Sequence, residues 1–178
     1  MEMNTLVKDH LHNQAKINGT PCDALGIEQL IATFSESEEA YLQKTAKFLI
    51  EWFSPQEFLS LHTSGTTGTP KQITVRKEHM IHSAMLTGAF LQLQAGNRAL
   101  CVLPTDYIAG KMMLVRALVL GLSLELLSPS STPFAATSHN FDFVALTPMQ
   151  AIKSLGELHR AKKIILGGAP ISAAMEAQ

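Results

Sequence analysis

The chain has 178 residues, 46% of them hydrophobic and 16% charged, with 14 basic against 15 acidic side chains and a net charge of -1. That is the balance of a globular domain long enough to bury a core, and it excludes a disordered chain. The near-neutral charge and the lack of any Lys/Arg run give no electrostatic footprint for nucleic acid or for an anionic membrane surface.

The first twelve residues, MEMNTLVKDHLH, are too polar for a signal peptide, and the most apolar region, 112–127, is broken by Arg116 and Glu125 well short of a membrane-spanning length. Cys22 and Cys101 lie far apart and outside any C-x-x-C spacing, so neither a disulfide framework nor a zinc site is indicated. These features fit a reducing cytoplasm.

Ile27, Leu30, Ile31 and Phe34 recur at helical spacing and predict a short amphipathic helix after a polar lead. Ser35 with Glu38 reads as a capping box opening a second helix through Tyr41, Thr45, Phe48, Leu49 and Trp52, stopped by Ser54-Pro55. A strand is expected from Glu57 to His62 and another over Gln72–Val75, joined by the segment between them. Beyond Arg76 the pattern alternates. A helix to about Leu93 precedes a strand Ala99–Leu103, and a helix Lys111–Leu120, closed by Gly121, precedes a strand Ser123–Leu127. After the Pro/Ser/Thr-rich stretch 128–138 come a strand Phe141–Leu146, a helix opening at Pro148 and a strand Lys163–Leu166.

Strands separated by helices of this length predict an α/β fold, a mostly parallel sheet flanked by helices, with ligands at the strand C-terminal ends. The runs ALCVL, LELL, FVAL and KIIL are those of strands buried on both sides. Residues 1–56 are read as a helical lead and 57–178 as the α/β domain. The last seven residues begin a helix below the ~12–15 residues needed for marginal stability, which reads as a cut through a longer protein.

The segment HTSGTTGTPK, 62–71, offers a core nothing. Its glycines let the backbone approach a ligand, its N–H groups and hydroxyls are donors, and Lys71 adds a point charge held by the stiff Pro70, so its natural guest is a phosphate chain. Thr66 and Thr67 are the candidates for phosphate oxygens or an accompanying Mg2+ ion. A Walker A loop is excluded, because Pro70 stands where its second glycine should fall and Gln72 where Ser or Thr should follow the lysine. A bare Gly/Thr-rich hairpin connection is the alternative without a ligand.

Thr63-Ser64-Gly65-Thr66-Thr67-Gly68-Thr69-Pro70-Lys71 resembles the phosphate-binding signature of the adenylate-forming superfamily, with Gln72 in place of its usual glycine. Pro104–Gly110 resembles the family's P-L-F-H-x-x-G turn, and Leu166-Gly167-Gly168-Ala169-Pro170 resembles its G-G-A-P segment. The run Tyr107–Arg116 is most similar to the o-succinylbenzoate-CoA ligase branch of menaquinone biosynthesis, with another aryl- or acyl-CoA ligase or an adenylation domain as the alternative.

The resemblance implies the N-terminal part of an acid–CoA ligase that uses ATP, Mg2+ and coenzyme A on a small carboxylic acid. Catalysis would fall to Lys71, Thr66 and Thr67, with the whole of Thr63–Lys71 and Gly168, Ala169 and Pro170 binding nucleotide, and Thr66 and Thr67 also serving the metal. Tyr107, Gly110, Lys111, Arg116, Gly167 and Gly168 would hold the acid, with Lys111 or Arg116 meeting a second carboxylate. The family's Y-G-x-T-E segment, its ribose-binding aspartate and its C-terminal domain are not found in the chain, so it is expected to be inactive alone. A homo-oligomer is compatible with all of this, as is a noncatalytic nucleotide-binding module. His10 with His12 and His79 with His82 lack further ligands and are read as solvent-facing, and Ser64 has no partners for a nucleophile's role.

Overall fold

The computed structural model describes residues 4–62 and 72–169. Its elements, in chain order, are α1 (Thr5–Asp9), β1 (Lys16–Ile17), β2 (Thr20–Pro21), α2 (Ala24–Ser35), α3 (Ala40–Phe53), β3 (Phe58–His62), β4 (Gln72–Arg76), α4 (Lys77–Leu91), β5 (Arg98–Cys101), α5 (Ile108–Leu120), β6 (Ser123–Leu126), β7 (Phe143–Leu146), α6 (Pro148–Lys153), a 3-10 turn (Leu155–Arg160) and β8 (Ile164–Leu166). The main sheet has the order β2-β1-β6-β5-β7-β8 and is parallel except at β1–β2, while β3 and β4 pair antiparallel in a separate two-stranded sheet. The mostly parallel α/β sheet predicted from the helix–strand alternation is therefore the observed fold.

Strand periodicity divides the core. Ala99, Cys101 and Leu103 of the β5 segment, with Phe143 and Ala145 of β7, point into one cluster shared with α1 to α5. Their alternates Leu100, Val102, Val144 and Leu146 point into a second cluster, roofed by Phe134, Phe141 and Ala151. Successive strand residues face opposite sides, so both faces of β5 and β7 are covered. The runs LELL and KIIL depart from that expectation. Glu125 of β6 turns away from the larger cluster toward His139, 2.8 Å from its Nδ1, and Arg98, while β8 is a half-buried edge strand.

The helices pack through the predicted stripes. Gly26, Ile27, Leu30 and Phe34 are the buried residues of α2, which is capped by the Asp23 carboxylate accepting the Gly26 N–H at 2.8 Å. In α3, Phe48, Leu49, Trp52 and Phe53 are buried, each worth roughly 1.5–3 kcal/mol against exposure. The start predicted at Ser35 is corrected: α2 runs through Ser35 and α3 opens at Ala40 with no side-chain cap. Ser37 Oγ accepts the Glu39 N–H at 3.1 Å, a local turn that competes with the earlier capping box.

The N-terminal 56 residues do more than cover a sheet. Asn18 and Gly19, both at positive φ, turn β1 back into β2, and β1 then joins β6 in the main sheet, so the same core runs through the lead and the residues after it.

Candidate functional site

Because β5, β7 and β8 run parallel, their C-terminal ends open on one edge of the sheet. There a cleft of about 230 Å³ is lined by Leu103 after β5, by Ile108, Ala109, Met112 and Arg116 of α5, by Ala145, Leu146 and Thr147 at the end of β7, and by Ile165, Gly167 and Gly168 of the β8 segment. The helix contributions fall at positions 108, 112 and 116, one α-helical stripe.

The glycines leave one wall as bare backbone. Gly167 donates its N–H to the Leu146 carbonyl at 3.1 Å, and Gly168 takes φ 86°, a conformation strained for any side chain. Thr147 is spent on structure: with Gln150 it forms the capping box of α6. Arg116 is thus the cation of an otherwise mostly apolar cleft. Its guanidinium carbon stands 5.9 Å from the Phe143 ring centroid, Nη1 lies 3.9 Å from Met113 Sδ, and Nε is buried with no hydrogen-bond partner among the described residues. Burial pushes the guanidinium pKa below its usual range.

Other residues predicted for the acid site fall elsewhere. Lys111, five residues before Arg116, faces another side of α5 and does not line this cleft; its ammonium lies 5.6 Å from the Phe48 ring of α3. Burial lowers its pKa. Tyr107 precedes α5, half-exposed, and does not line the cleft. Gly110 is buried and acts by size, since a Cβ there would stand 2.3 Å from the Pro104 carbonyl oxygen. Thr63–Lys71 and Pro170 lie outside the described residues. Met112 is buried and also lines the cleft; Ala145, Leu146 and Thr147 were missed, although the strand-end rule applied to FVALTP points to them.

Among the described residues no three His, Cys, Asp or Glu side chains converge to hold a metal, and no helix is long and apolar enough to cross a membrane. His79 and His82 are exposed as expected. His10 and His12 are instead half-buried, His12 packing where a side chain on Gly121 would otherwise stand.

The fold agrees with comparison to known sequences: the AMP-binding enzyme family matches residues 6–178, and the chain belongs to that family. A 2-succinylbenzoate–CoA ligase of Enterococcus faecalis is 39% identical over 66 residues, 37% of this chain and 14% of that protein. Among solved structures, an acyl-CoA synthetase (AMP-forming)/AMP-acid ligase II-like protein of Dyadobacter fermentans is 39% identical with a TM-score of 0.74, covering 84% of this chain and 45% of that one. The o-succinylbenzoate CoA synthetase of Bacillus subtilis, solved with its acyl-adenylate intermediate, is 25% identical with a TM-score of 0.55, covering 63% and 31%. The chain spans less than half the length of each of these relatives.

Proposed function

We propose that the protein serves an ATP-dependent acid–CoA ligase whose acid is o-succinylbenzoate. The observation that carries the substrate reading is Arg116, whose Nε has no acceptor among the described residues and which stands beside an apolar cleft at the strand ends. An aromatic diacid answers both features, its ring against Ile108, Met112 and Leu146 and its second carboxylate on the guanidinium, a strong charge-assisted pairing. The names of the Enterococcus and Bacillus relatives support the same acid.

In the first step a carboxylate oxygen of the acid forms a bond to the α-phosphorus of ATP as the bond to pyrophosphate breaks. In the second the coenzyme A sulfur attacks the acyl carbon, AMP leaves and the thiol proton passes to solvent. The protein's part is positioning and charge neutralisation. By their motif, Lys71, Thr66 and Thr67 would hold the departing phosphates, Thr66 and Thr67 would ligate Mg2+, which shares the phosphates' negative charge, and Gly167, Gly168, Ala169 and Pro170 would border the acid and the adenine. This reading places the enzyme in menaquinone biosynthesis in the cytoplasm, with ATP, coenzyme A and the acid as its partners.

The test is ATP–pyrophosphate exchange, with o-succinylbenzoate or with benzoate as the acid, by the intact polypeptide of which this chain is read as the N-terminal part. Exchange that depends on o-succinylbenzoate is expected. Equal exchange with benzoate would remove the diacid from the reading.

A further inference from the structure

The peptide group between Leu146 and Thr147 lies in the wall of the strand-end cleft, and hydrogen bonds hold it at both ends. Its carbonyl accepts the Gly167 N–H at 3.1 Å, and its N–H donates to Gln150 Oε1 at 2.9 Å. A peptide group is rigid and planar, so whatever turns one end turns the other. Bonds at its two ends also polarise one another and strengthen together. Gln150 therefore acts on Gly167 through the plane between them. Gly168 is set beside Thr147, since a Cβ built on it would stand 3.8 Å from the Thr147 methyl carbon, an ordinary contact distance.

Gln150 is buried and does not itself line the cleft. Its carboxamide is engaged at both ends. Oε1 also accepts from the Thr147 hydroxyl at 3.2 Å, while Nε2 donates at 2.6 Å to the carbonyl of Ser130, in the Pro/Ser/Thr-rich connection between β6 and β7. The reverse orientation would set the amide NH2 against the Thr147 N–H, so these bonds fix which way the group points.

A capping box alone does not call for glutamine. Glutamate at the same position closes the box as well, because only an acceptor is needed there. Ionised, it has no proton for the Ser130 carbonyl and would face that oxygen with negative charge. The carboxamide meets two demands at once, an acceptor for the cleft wall and a donor for the β6–β7 connection.

We propose that Gln150 is a positioning residue for the acid substrate: it fixes the Leu146–Thr147 peptide and, through it, the bare-backbone wall of Gly167 and Gly168 against which the acid lies. The role toward the acid rests on reading the cleft as the acid site; the hold on the peptide does not.

The experiment compares the intact polypeptide, of which this chain is read as the N-terminal part, with its Q150L and Q150E variants. Amide hydrogen exchange without substrates is followed at Thr147 and Gly167. Asn18 and Val144, whose N–H groups donate to the Leu124 and Lys163 carbonyls, serve as references. KM for o-succinylbenzoate and kcat are measured with ATP, Mg2+ and coenzyme A saturating. In Q150L, which keeps the bulk and loses the bonds, Thr147 and Gly167 should exchange about tenfold faster while the references stay within about twofold. KM for the acid should rise about tenfold with kcat within about threefold, whereas a variant that only folds less completely would lose kcat and keep its KM. Q150E keeps the acceptor, so its Thr147 and Gly167 amides and its KM should stay within about threefold of the unaltered protein, and it carries the comparison should Q150L fail to fold. Unchanged exchange at Gly167 in Q150L, or acceleration shared equally by the references, would overturn the hold on the peptide, as would Thr147 and Gly167 amides of Q150E that exchange tenfold faster. Faster local exchange with an unchanged acid KM would overturn the positioning role. If the unaltered protein catalyses no acid-dependent reaction, the ligase reading falls, while the exchange result still decides the hold on the peptide.

Discussion

Arg116 reaches from α5 to within 5.9 Å of the Phe143 ring centroid, on the strand beneath it, and its Nε finds no acceptor among the described residues. A donor left unmet in this way can pair with an anion that enters the cleft. Replacing it with methionine should keep or slightly raise the melting temperature, since a half-buried cation with no ion pair among the described residues is lost. The same change should raise KM for o-succinylbenzoate about 10- to 100-fold, in line with the ~1.5–3 kcal/mol of a charged hydrogen bond. KM for a monocarboxylic analogue should stay level. Steady-state thioester assays with both acids, on the intact polypeptide of which this chain is read as the N-terminal part, check this.

Gly110 meets the backbone of Pro104 and Leu103, with carbonyl oxygens 2.3 and 2.8 Å from where a Cβ would stand. Backbone cannot yield as a side-chain tip can, so G110A should force α5 off the end of β5. The expected cost is about 1–3 kcal/mol in a urea melt, with a loss of activity larger than the stability change alone explains, because Ile108, Ala109 and Met112 ride on the same helix.

Stability should pass through a maximum near pH 9. Lys77 gives up its proton at about 8 when folded, against an ordinary 10.5, so between these values the unfolded chain holds more protons and stability rises with pH. The thiols act in the opposite sense. Burial pushes Cys101 from 9.0 to about 11 and Cys22 to about 12, so above 9 the unfolded chain loses protons that the folded one keeps, and stability falls. Each group contributes at most about 1.4 kcal/mol per pH unit. Urea midpoints at pH 7.5, 9 and 10.5 measure the curve, and K77M should abolish the rise while leaving the fall.

Asn18 holds φ at 47° while its side chain donates to the Leu126 carbonyl at 3.2 Å and accepts the Leu126 N–H at 2.8 Å. N18A loses both bonds and meets the left-handed penalty of an ordinary residue, a combined cost of about 2–3 kcal/mol. Equilibrium denaturation checks it. N18D, which accepts but cannot donate while ionised, should fall between.

Local signals carried most of the fold. Gly121 at φ 73° closes α5 as the sequence predicts, and the alternation of strands with helices gave the parallel sheet and the edge on which the cleft opens. One local signal went unread and one was misread, each for a physical reason. The Asn18-Gly19 hairpin signal is present, but its strands are only two residues long and get their burial from β6, far along the chain. Ser35 and Glu38 have the right spacing for a cap, yet Ile27, Leu30 and Phe34 continue α2 past it. Lys111 and Arg116 look alike as partners for a carboxylate until the helix is rotated. Five residues at 100° each put them 140° apart, and only the position of the sheet says which of them faces the cleft.

The bond between Asn18 and Leu126 joins positions 108 apart. While the chain is being made, β1 therefore emerges long before the strand that receives it. Ribosomes add roughly 5–20 residues each second, so Ile17 must wait on the order of ten seconds for its neighbour. During that interval the newborn N-terminal segment is exposed to chaperones and proteases, and a slower codon stretch before Ser123 would lengthen its vulnerability.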